Sequence, residues 1–180
     1  MSYGRDRTET RLGSFAGSTL DVVQPSIWKN VHELRDHDRR VATLTFKNLL
    51  GFEATGTCDE GSWTIGQKGM WKPKVIVREA ATGNQVTDVP VHLFKQTFTF
   101  SLPRREHETL TISRNFWATR FTLTGRMGWE LLTLTTKPFS FSSGTFTVRE
   151  KAGSYDEIPW LLFIVWYFSL TIRRSSAHAH

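Results

Sequence analysis

The chain has 180 residues and a net charge of +6, from 23 Lys and Arg against 17 Asp and Glu, without a long run of one sign. Its 13 Phe and 7 Trp can fill a sizeable core, which predicts one compact domain. Cys58 is the single cysteine, so an intrachain disulfide is excluded and a reducing compartment, the cytoplasm, is expected.

The N-terminal segment, residues 1–13, is polar and charged, and we expect it to be flexible. It has no apolar run typical of a conventional secretory signal. The excess of basic residues favours an anionic partner, and no nucleic acid or cofactor is expected.

Residues 14–153 alternate Thr with branched and aromatic residues in short runs, a pattern typical of β-strands. Turn residues separate the runs, with Gly61 and Gly83 at hairpin turns that favour a positive φ. Spacings of about 8 to 12 residues are typical of sandwiches and barrels. The predicted strands are 19–23, 26–34, 41–46, 52–58, 62–67, 74–78, 85–89, 91–102, 107–112, 116–124, 129–135 and 139–149.

The run at 160–172 is apolar on every side, which predicts a helix that is buried all round. Asp156 is its expected N-cap, and Arg173 and Arg174 follow it. At about 1.5 Å per residue the run spans about 20 Å, short of a bilayer core of about 30 Å. The expected core side chains are Trp160, Leu161, Phe163, Ile164, Trp166, Tyr167 and Leu170.

A helix without a polar face needs apolar neighbours on all sides, and a ring of strands supplies them better than a sandwich. We therefore predict a mainly β fold, a closed antiparallel β-barrel of about twelve strands around a hydrophobic helix at 154–174. Residues 175–180 are the expected disordered tail. A tail anchor is the alternative for the helix, because two arginines after an apolar run suit a lipid headgroup layer.

A weak internal echo is consistent with a repeated sheet. FEAT at 52–55 is echoed by FWAT at 116–119, and each is followed by a turn with Gly and Trp, at 61–63 and 128–129. Such short matches also arise by chance in chains rich in Thr and Phe, so duplication stays open.

Several segments resemble the tubby-like superfamily of tubby C-terminal domains, phospholipid scramblases and plant LURP-related proteins. They are Trp28, HELRD at 32–36, VATL at 41–44, FEA at 52–54, GSWTI at 61–65 and VIVR at 75–78 with Gly83, followed by the apolar helix. The resemblance covers nearly the whole chain and is closest to an uncharacterised bacterial-type member. It implies a twelve-stranded barrel threaded by its last helix, and lipid binding as a function.

The chain departs from the better-known members of that superfamily. Scramblases carry a cysteine-rich palmitoylated stretch and a calcium-binding segment, whereas this chain has Cys58 alone and no acidic calcium loop. Tubby domains bind phosphoinositides through paired basic residues, and no Lys or Arg here aligns with that pair. The resemblance thus favours binding of anionic lipid headgroups over lipid scrambling.

Two basic clusters are candidate sites for such headgroups. Arg104 and Arg105 follow Pro103 in a predicted turn, where two guanidinium groups could hold a phosphate. Lys68, Lys72 and Lys74 surround a second turn that contains Trp71. The alternative is that both are ordinary solvated turns whose charges keep strand edges from pairing with other chains.

Catalysis has no support in the sequence. His32 and His37 are five residues apart, so on a helix they would diverge by about 140° and could not share a metal. Cys58 lies before an acidic turn with no basic neighbour to activate it. No nucleophile-elbow or phosphate-loop motif is present.

The sequence therefore predicts a non-enzymatic, cytoplasmic barrel that binds anionic lipid headgroups at a membrane surface. The alternatives are a tail-anchored membrane protein with a cytoplasmic β-domain and a scaffold that binds only proteins. A ligand-carrying barrel is disfavoured, because the helix would fill the lumen.

Overall fold

The computed structural model describes residues 11–26, 29–48, 52–92, 95–103, 105–137 and 143–177. These residues form twelve strands, two short 3-10 turns at Leu12–Phe15 and Glu150–Ser154, and the helix α1 at Ile158–Ala177. The strands are β1 Thr19–Val23, β2 Val31–Asp36, β3 Arg39–Phe46, β4 Glu53–Cys58, β5 Gly61–Lys68, β6 Lys74–Glu79, β7 Gln85–Pro90, β8 Thr97–Leu102, β9 Arg105–Arg114, β10 Arg120–Thr124, β11 Glu130–Thr136 and β12 Ser143–Val148.

The twelve strands form one antiparallel sheet in the order β7-β6-β5-β4-β3-β2-β1-β12-β11-β10-β9-β8. Every neighbour is consecutive in the chain except β1 and β12, which pair from Thr19 with Thr147 to Val23 with Ser143. The predicted β-barrel of about twelve strands with a C-terminal helix is confirmed. The barrel is nearly closed rather than closed, because β7 and β8 end the sheet.

The seam between β7 and β8 is narrow. The two strands lie side by side, and Thr87 Oγ1 donates to the carbonyl of Ser101 over 3.4 Å. No ladder of backbone hydrogen bonds joins these two strands among the described residues. The complete closure predicted from the sequence is thus corrected to a barrel with one unpaired seam.

Inward side chains alternate along the strands as the period of a strand requires. In β8 the buried side chains are Phe98, Phe100 and Leu102, and the residues between them are exposed. The strands were predicted from the same alternation of threonine with aromatic residues, and each of the twelve predicted runs overlaps one observed strand. Gly61 and Gly83 have φ values of 151° and 73° at their hairpin turns, as predicted.

The predicted runs at 26–34, 91–102 and 116–124 start too early, because β2 begins at Val31, β8 at Thr97 and β10 at Arg120. The last of these has a local cause. The Asn115 side chain accepts hydrogen bonds from the backbone N–H groups of Thr119 and Arg120, at 2.8 and 3.0 Å, and Ala118 has a φ of 51°. This side-chain cap closes a turn, so β10 begins only at Arg120. Of the echoed segments, 52–55 contains the start of β4, whereas 116–119 precedes β10.

The side chains of α1 are covered by strands on opposite sides. The helix lies against β4 and β5 on one side and β10 and β11 on the other. The seven side chains expected in the core are each at most 5% exposed. Gly56 on β4 permits this approach, because a Cβ there would overlap the ring of Phe163. The helix begins at Ile158 rather than at 154, and Ser154 belongs to the preceding 3-10 turn. Asp156, the predicted N-cap, lies in the turn two residues before the helix.

The chain ends differ from the predicted domain limits in two respects. The helix continues to Ala177, so residues 175–177, predicted to belong to a disordered tail, form its last turn. Leu12, in the segment predicted to be flexible, is buried, and its N–H donates to Glu60 Oε2 over 2.6 Å. Residues 1–10 and 178–180 lie outside the described residues. The packed structure therefore includes the 3-10 turn that begins at Leu12.

The alternating strand directions give the barrel two ends. The upper end carries the loops that follow odd-numbered strands, and the lower end carries the loops that follow even-numbered strands. α1 follows β12, so it starts at the lower end. Its last turn is at the upper end, where Arg173 donates to the carbonyl of Lys137 over 3.0 Å.

Candidate functional site

The lysines are concentrated at the upper end of the barrel. The sequence has eight lysines, and all except Lys151 lie in or beside loops at this end. These seven are Lys29, Lys47, Lys68, Lys72, Lys74, Lys95 and Lys137. Because they come from five separate loops, only the strand topology brings them to one end.

Carboxylates have the opposite distribution among the described residues. The lower end holds Asp36, Asp38, Asp59, Glu60, Glu79, Glu130, Glu150, Asp156 and Glu157. Some of these pair with arginines, as Arg149 does with Glu130 over 2.8 Å. At the upper end, Glu53 lies 3.5 Å from Lys47 and Asp88 lies 2.8 Å from Lys74. The two ends therefore differ in charge, and the upper end is the basic one.

The β5–β6 loop presents two apolar side chains between lysines at the upper end. Met70 and Trp71 are 92% and 93% exposed, and Lys68 and Lys72 beside them are exposed as well. Gly69 starts the loop with a φ of 89°, and a Cβ there would lie 2.7 Å from the carbonyl oxygen of Lys72. Only glycine meets both conditions, so the loop conformation depends on it.

The β9–β10 loop carries a second exposed aromatic pair at the same end. Phe116 and Trp117 are 72% and 78% exposed, and their rings meet edge to face with centroids 5.1 Å apart. The Asn115 cap described above holds this turn. Phe52, before β4, is also exposed, so five of the seven large apolar side chains exposed among the described residues are at the upper end.

The other two, Met127 and Trp129, lie in the β10–β11 turn at the lower end. The indole of Trp129 is covered by Lys151, whose Nζ is 3.0 Å from the ring centroid. The single lysine of the lower end is thus engaged with a neighbouring aromatic ring. At the upper end, by contrast, exposed apolar side chains lie in a loop with exposed lysines, as Met70 and Trp71 do.

The two predicted anion-binding clusters lie at opposite ends of the barrel. Lys68, Lys72 and Lys74 are at the upper end, whereas Arg105 begins β9 at the lower end. Arg104 lies outside the described residues.

Arg105 makes intramolecular contacts. Its guanidinium donates to the carbonyl of Ser154 over 3.0 Å and covers the ring of Tyr155 at 4.8 Å. Tyr155 in turn donates to Glu108 Oε1 over 2.7 Å, and burial and this contact raise its pKa to about 12. Arg105 therefore packs the lower end, and the lysine cluster is the better candidate for an external anion.

The histidines and the cysteine weighed in the sequence are separated. His32 faces inward from β2 and is buried beside Phe46 and Trp166, and burial lowers its pKa to about 4. His37 is exposed in the next turn. Cys58 ends β4 half-buried, and its desolvation raises the thiol pKa to about 11, so the thiol form dominates.

Sequence reasoning missed the aromatic pair Phe116 and Trp117 as surface groups, because the run resembles a strand. It also missed Lys29, Lys47, Lys95 and Lys137. A signal was available for Lys47 and Lys137, which follow odd-numbered predicted strands. Lys29 and Lys95 lie inside runs that were predicted as strands, and the structure places them in loops.

No family model, curated protein or solved structure matches this chain. Within the described residues, no helix combines the length and the apolar character needed to cross a membrane.

Proposed function

We propose that this protein is a non-enzymatic, tubby-like binding module whose upper end contacts anionic phospholipid headgroups at the cytoplasmic surface of a membrane. The observation that carries the proposal is the coincidence of seven lysines and five exposed apolar side chains at one end of the barrel. The resemblance to tubby-like proteins supports the same class of function.

The chemistry of the β5–β6 loop suits the interface between water and lipid. Trp prefers this interface because its ring is apolar and its N–H is polar. Lysines close to an anionic surface contribute about 1 kcal/mol each. In this proposal Trp71 and Met70 enter the headgroup layer while Lys68 and Lys72 remain beside the lipid phosphates.

The alternatives differ in what they do with the apolar groups. A tail anchor would need the side chains of α1, which are packed against the strands. A protein scaffold would use Trp71 and Trp117 as anchors in a partner's pocket. Lipid is favoured because Lys68 and Lys72 flank Trp71, and lysines are depleted in the centre of protein interfaces.

The test is cosedimentation of the protein with vesicles. Vesicles of phosphatidylcholine with phosphatidylserine are compared with vesicles of phosphatidylcholine alone, at low and high salt. Binding is expected only to the anionic vesicles and is expected to weaken as salt rises, because ions screen exposed charges. Binding to anionic vesicles that does not change with salt contradicts the proposal.

A matched pair of double variants locates the surface. Lys68→Gln with Lys72→Gln removes about 2 kcal/mol of attraction, which lowers affinity about 30-fold. Arg126→Gln with Lys151→Gln removes the same charge at the lower end and is expected to have a small effect. Equal losses from the two pairs would mean that net charge, rather than the upper end, drives binding.

A further inference from the structure

A pocket of about 340 Å³ lies at the lower end of the barrel, opposite the lysines. It opens beside the β7–β8 seam, between the start of β5, the β6–β7 turn and the start of α1. Its aromatic and acidic lining residues are Trp63, Trp160, Glu79, Asp156 and Glu157. None of the described residues that line it is basic.

The two indoles of the pocket are held by the core. Trp160 is 5% exposed and packs on Phe100, with ring centroids 6.4 Å apart. Trp63 packs on Phe163, with centroids 5.9 Å apart. Fixed indole faces attract cations through the ring quadrupole, and Trp is the strongest of the aromatic residues in this respect.

Glu157 leaves a hydrogen-bonding position unfilled in this pocket. Its Oε2 is buried and accepts no hydrogen bond from the described residues. Arg105 forms an ion pair with this oxygen at 3.9 Å, which is longer than a hydrogen bond, and its guanidinium group donates to the carbonyl of Ser154. Because this ion-pair partner is beyond hydrogen-bond distance, Oε2 can still accept a hydrogen bond from a group that enters the pocket.

We propose that this pocket binds a small aliphatic ammonium ion. Three carboxylates attract the positive charge, and the indole walls cover the alkyl chain and the adjacent methylene groups. An N–H of the ammonium group donates to Glu157 Oε2. The volume is at the small end of ligand pockets, which suits a ligand of a few carbon atoms. The site is separate from the proposed lipid surface and does not depend on it.

The direct test uses three probes of similar size on the full chain. Butylammonium has both charge and donors, tetramethylammonium has charge without donors, and butanol is uncharged. Indole N–H signals in ¹H–¹⁵N spectra report binding, with each signal assigned by substitution. Saturable shifts of the Trp63 and Trp160 signals are expected, with affinity falling from butylammonium to tetramethylammonium to butanol. Absence of saturable shifts, or butanol binding as well as butylammonium, overturns the proposal.

Charge-neutral variants locate the ammonium group. Glu157→Gln is expected to weaken butylammonium binding at least about tenfold, because a charge-assisted hydrogen bond is lost. Glu150→Gln removes the same charge from an exposed residue of the lower end outside the pocket and is expected to bind normally. Equal weakening by both variants overturns the site.

Folding of Glu157→Gln is checked by circular dichroism. If that variant does not fold, Asp156→Asn decides, because Asp156 is exposed and its replacement leaves the core intact. It must weaken butylammonium binding relative to Glu150→Gln, and unchanged binding overturns the proposal. Lys68→Gln with Lys72→Gln must leave butylammonium binding unchanged, which separates this site from the lipid surface.

Discussion

The backbone of Gly56 on β4 lies directly against the aromatic ring of Phe163 on α1. A Cβ on Gly56 would be 2.6 Å from Cδ1 and 2.7 Å from Cδ2 of that ring. Phe163 is fully buried and also stacks on Trp166, with centroids 6.5 Å apart, so it has little room to move. The close packing of β4 against α1 therefore requires a residue without a side chain at position 56.

Gly56→Ala is expected to destabilise the fold by about 2 kcal/mol or more, because overpacking a dense interior forces side chains off their rotamers. Urea unfolding measures the difference. Gly66→Ala on the neighbouring strand is the control, since a Cβ there meets its nearest atoms at 3.7 Å. Equal losses from both variants would contradict the close approach.

Removing α1 is expected to abolish the soluble fold. A chain that ends at Gly153 would expose the apolar surfaces of β4, β5, β10 and β11, and exposed apolar patches of that size aggregate. The measurement compares how the full chain and the truncated chain distribute between soluble, aggregated and membrane fractions. A truncated chain that stays soluble and folded, beside a full chain in the membrane fraction, would support the tail-anchor alternative.

Trp71→Ser is expected to weaken binding to anionic vesicles about tenfold or more, since burying an aromatic side chain is worth about 1.5 to 3 kcal/mol. Unlike the lysine variants, it should weaken binding at high salt as well as at low salt, because the lost contribution is apolar. Vesicle cosedimentation across a salt series measures it. Trp129→Ser at the lower end is the matched control, and it should bind as the natural chain does.

His32 makes stability depend on acid pH. Burial and, to a smaller extent, the charge of Arg174 lower its pKa from 6.5 to about 4 in the folded chain, so the unfolded chain binds the proton more readily. The contribution of neutral His32 is therefore complete above about pH 6.5 and is lost as pH falls towards 4, by about 3 kcal/mol in total.

The check on His32 is urea unfolding at several pH values. His32→Leu should be less dependent on pH than the natural chain between pH 4 and 6.5. His92→Gln, a change at an exposed histidine, should retain the natural dependence. Identical pH profiles for His32→Leu and the natural chain would rule out His32 as the cause.

Local patterns were enough to predict the strands and the helix. Threonines next to Phe98 and Phe100 indicated β8, and the unbroken apolar run around Phe163 indicated α1. The turn at Phe116 and Trp117 was not predicted. The Asn115 side chain closes it through hydrogen bonds, and the pattern of apolar residues does not indicate such bonds.

The candidate surface depends on topology rather than on local pattern. Lys29 and Lys137 are far apart in the sequence, and they share an end because an even number of antiparallel strands separates their loops. Arg105 and Lys72 lie at opposite ends, because three strands, an odd number, separate them. Identifying the surface requires the number and direction of every strand between its parts.

The unpaired seam between β7 and β8 also bears on how the chain reaches its native state. α1 is the last element, yet its side chains pack against strands that precede it on two sides of the barrel. A barrel with an unbroken ladder would require a late helix to thread through one end. A sheet with two free edges can instead remain curved and open, accept the helix from the side, and bring Thr87 to Ser101 as its last step, so assembly requires no threading.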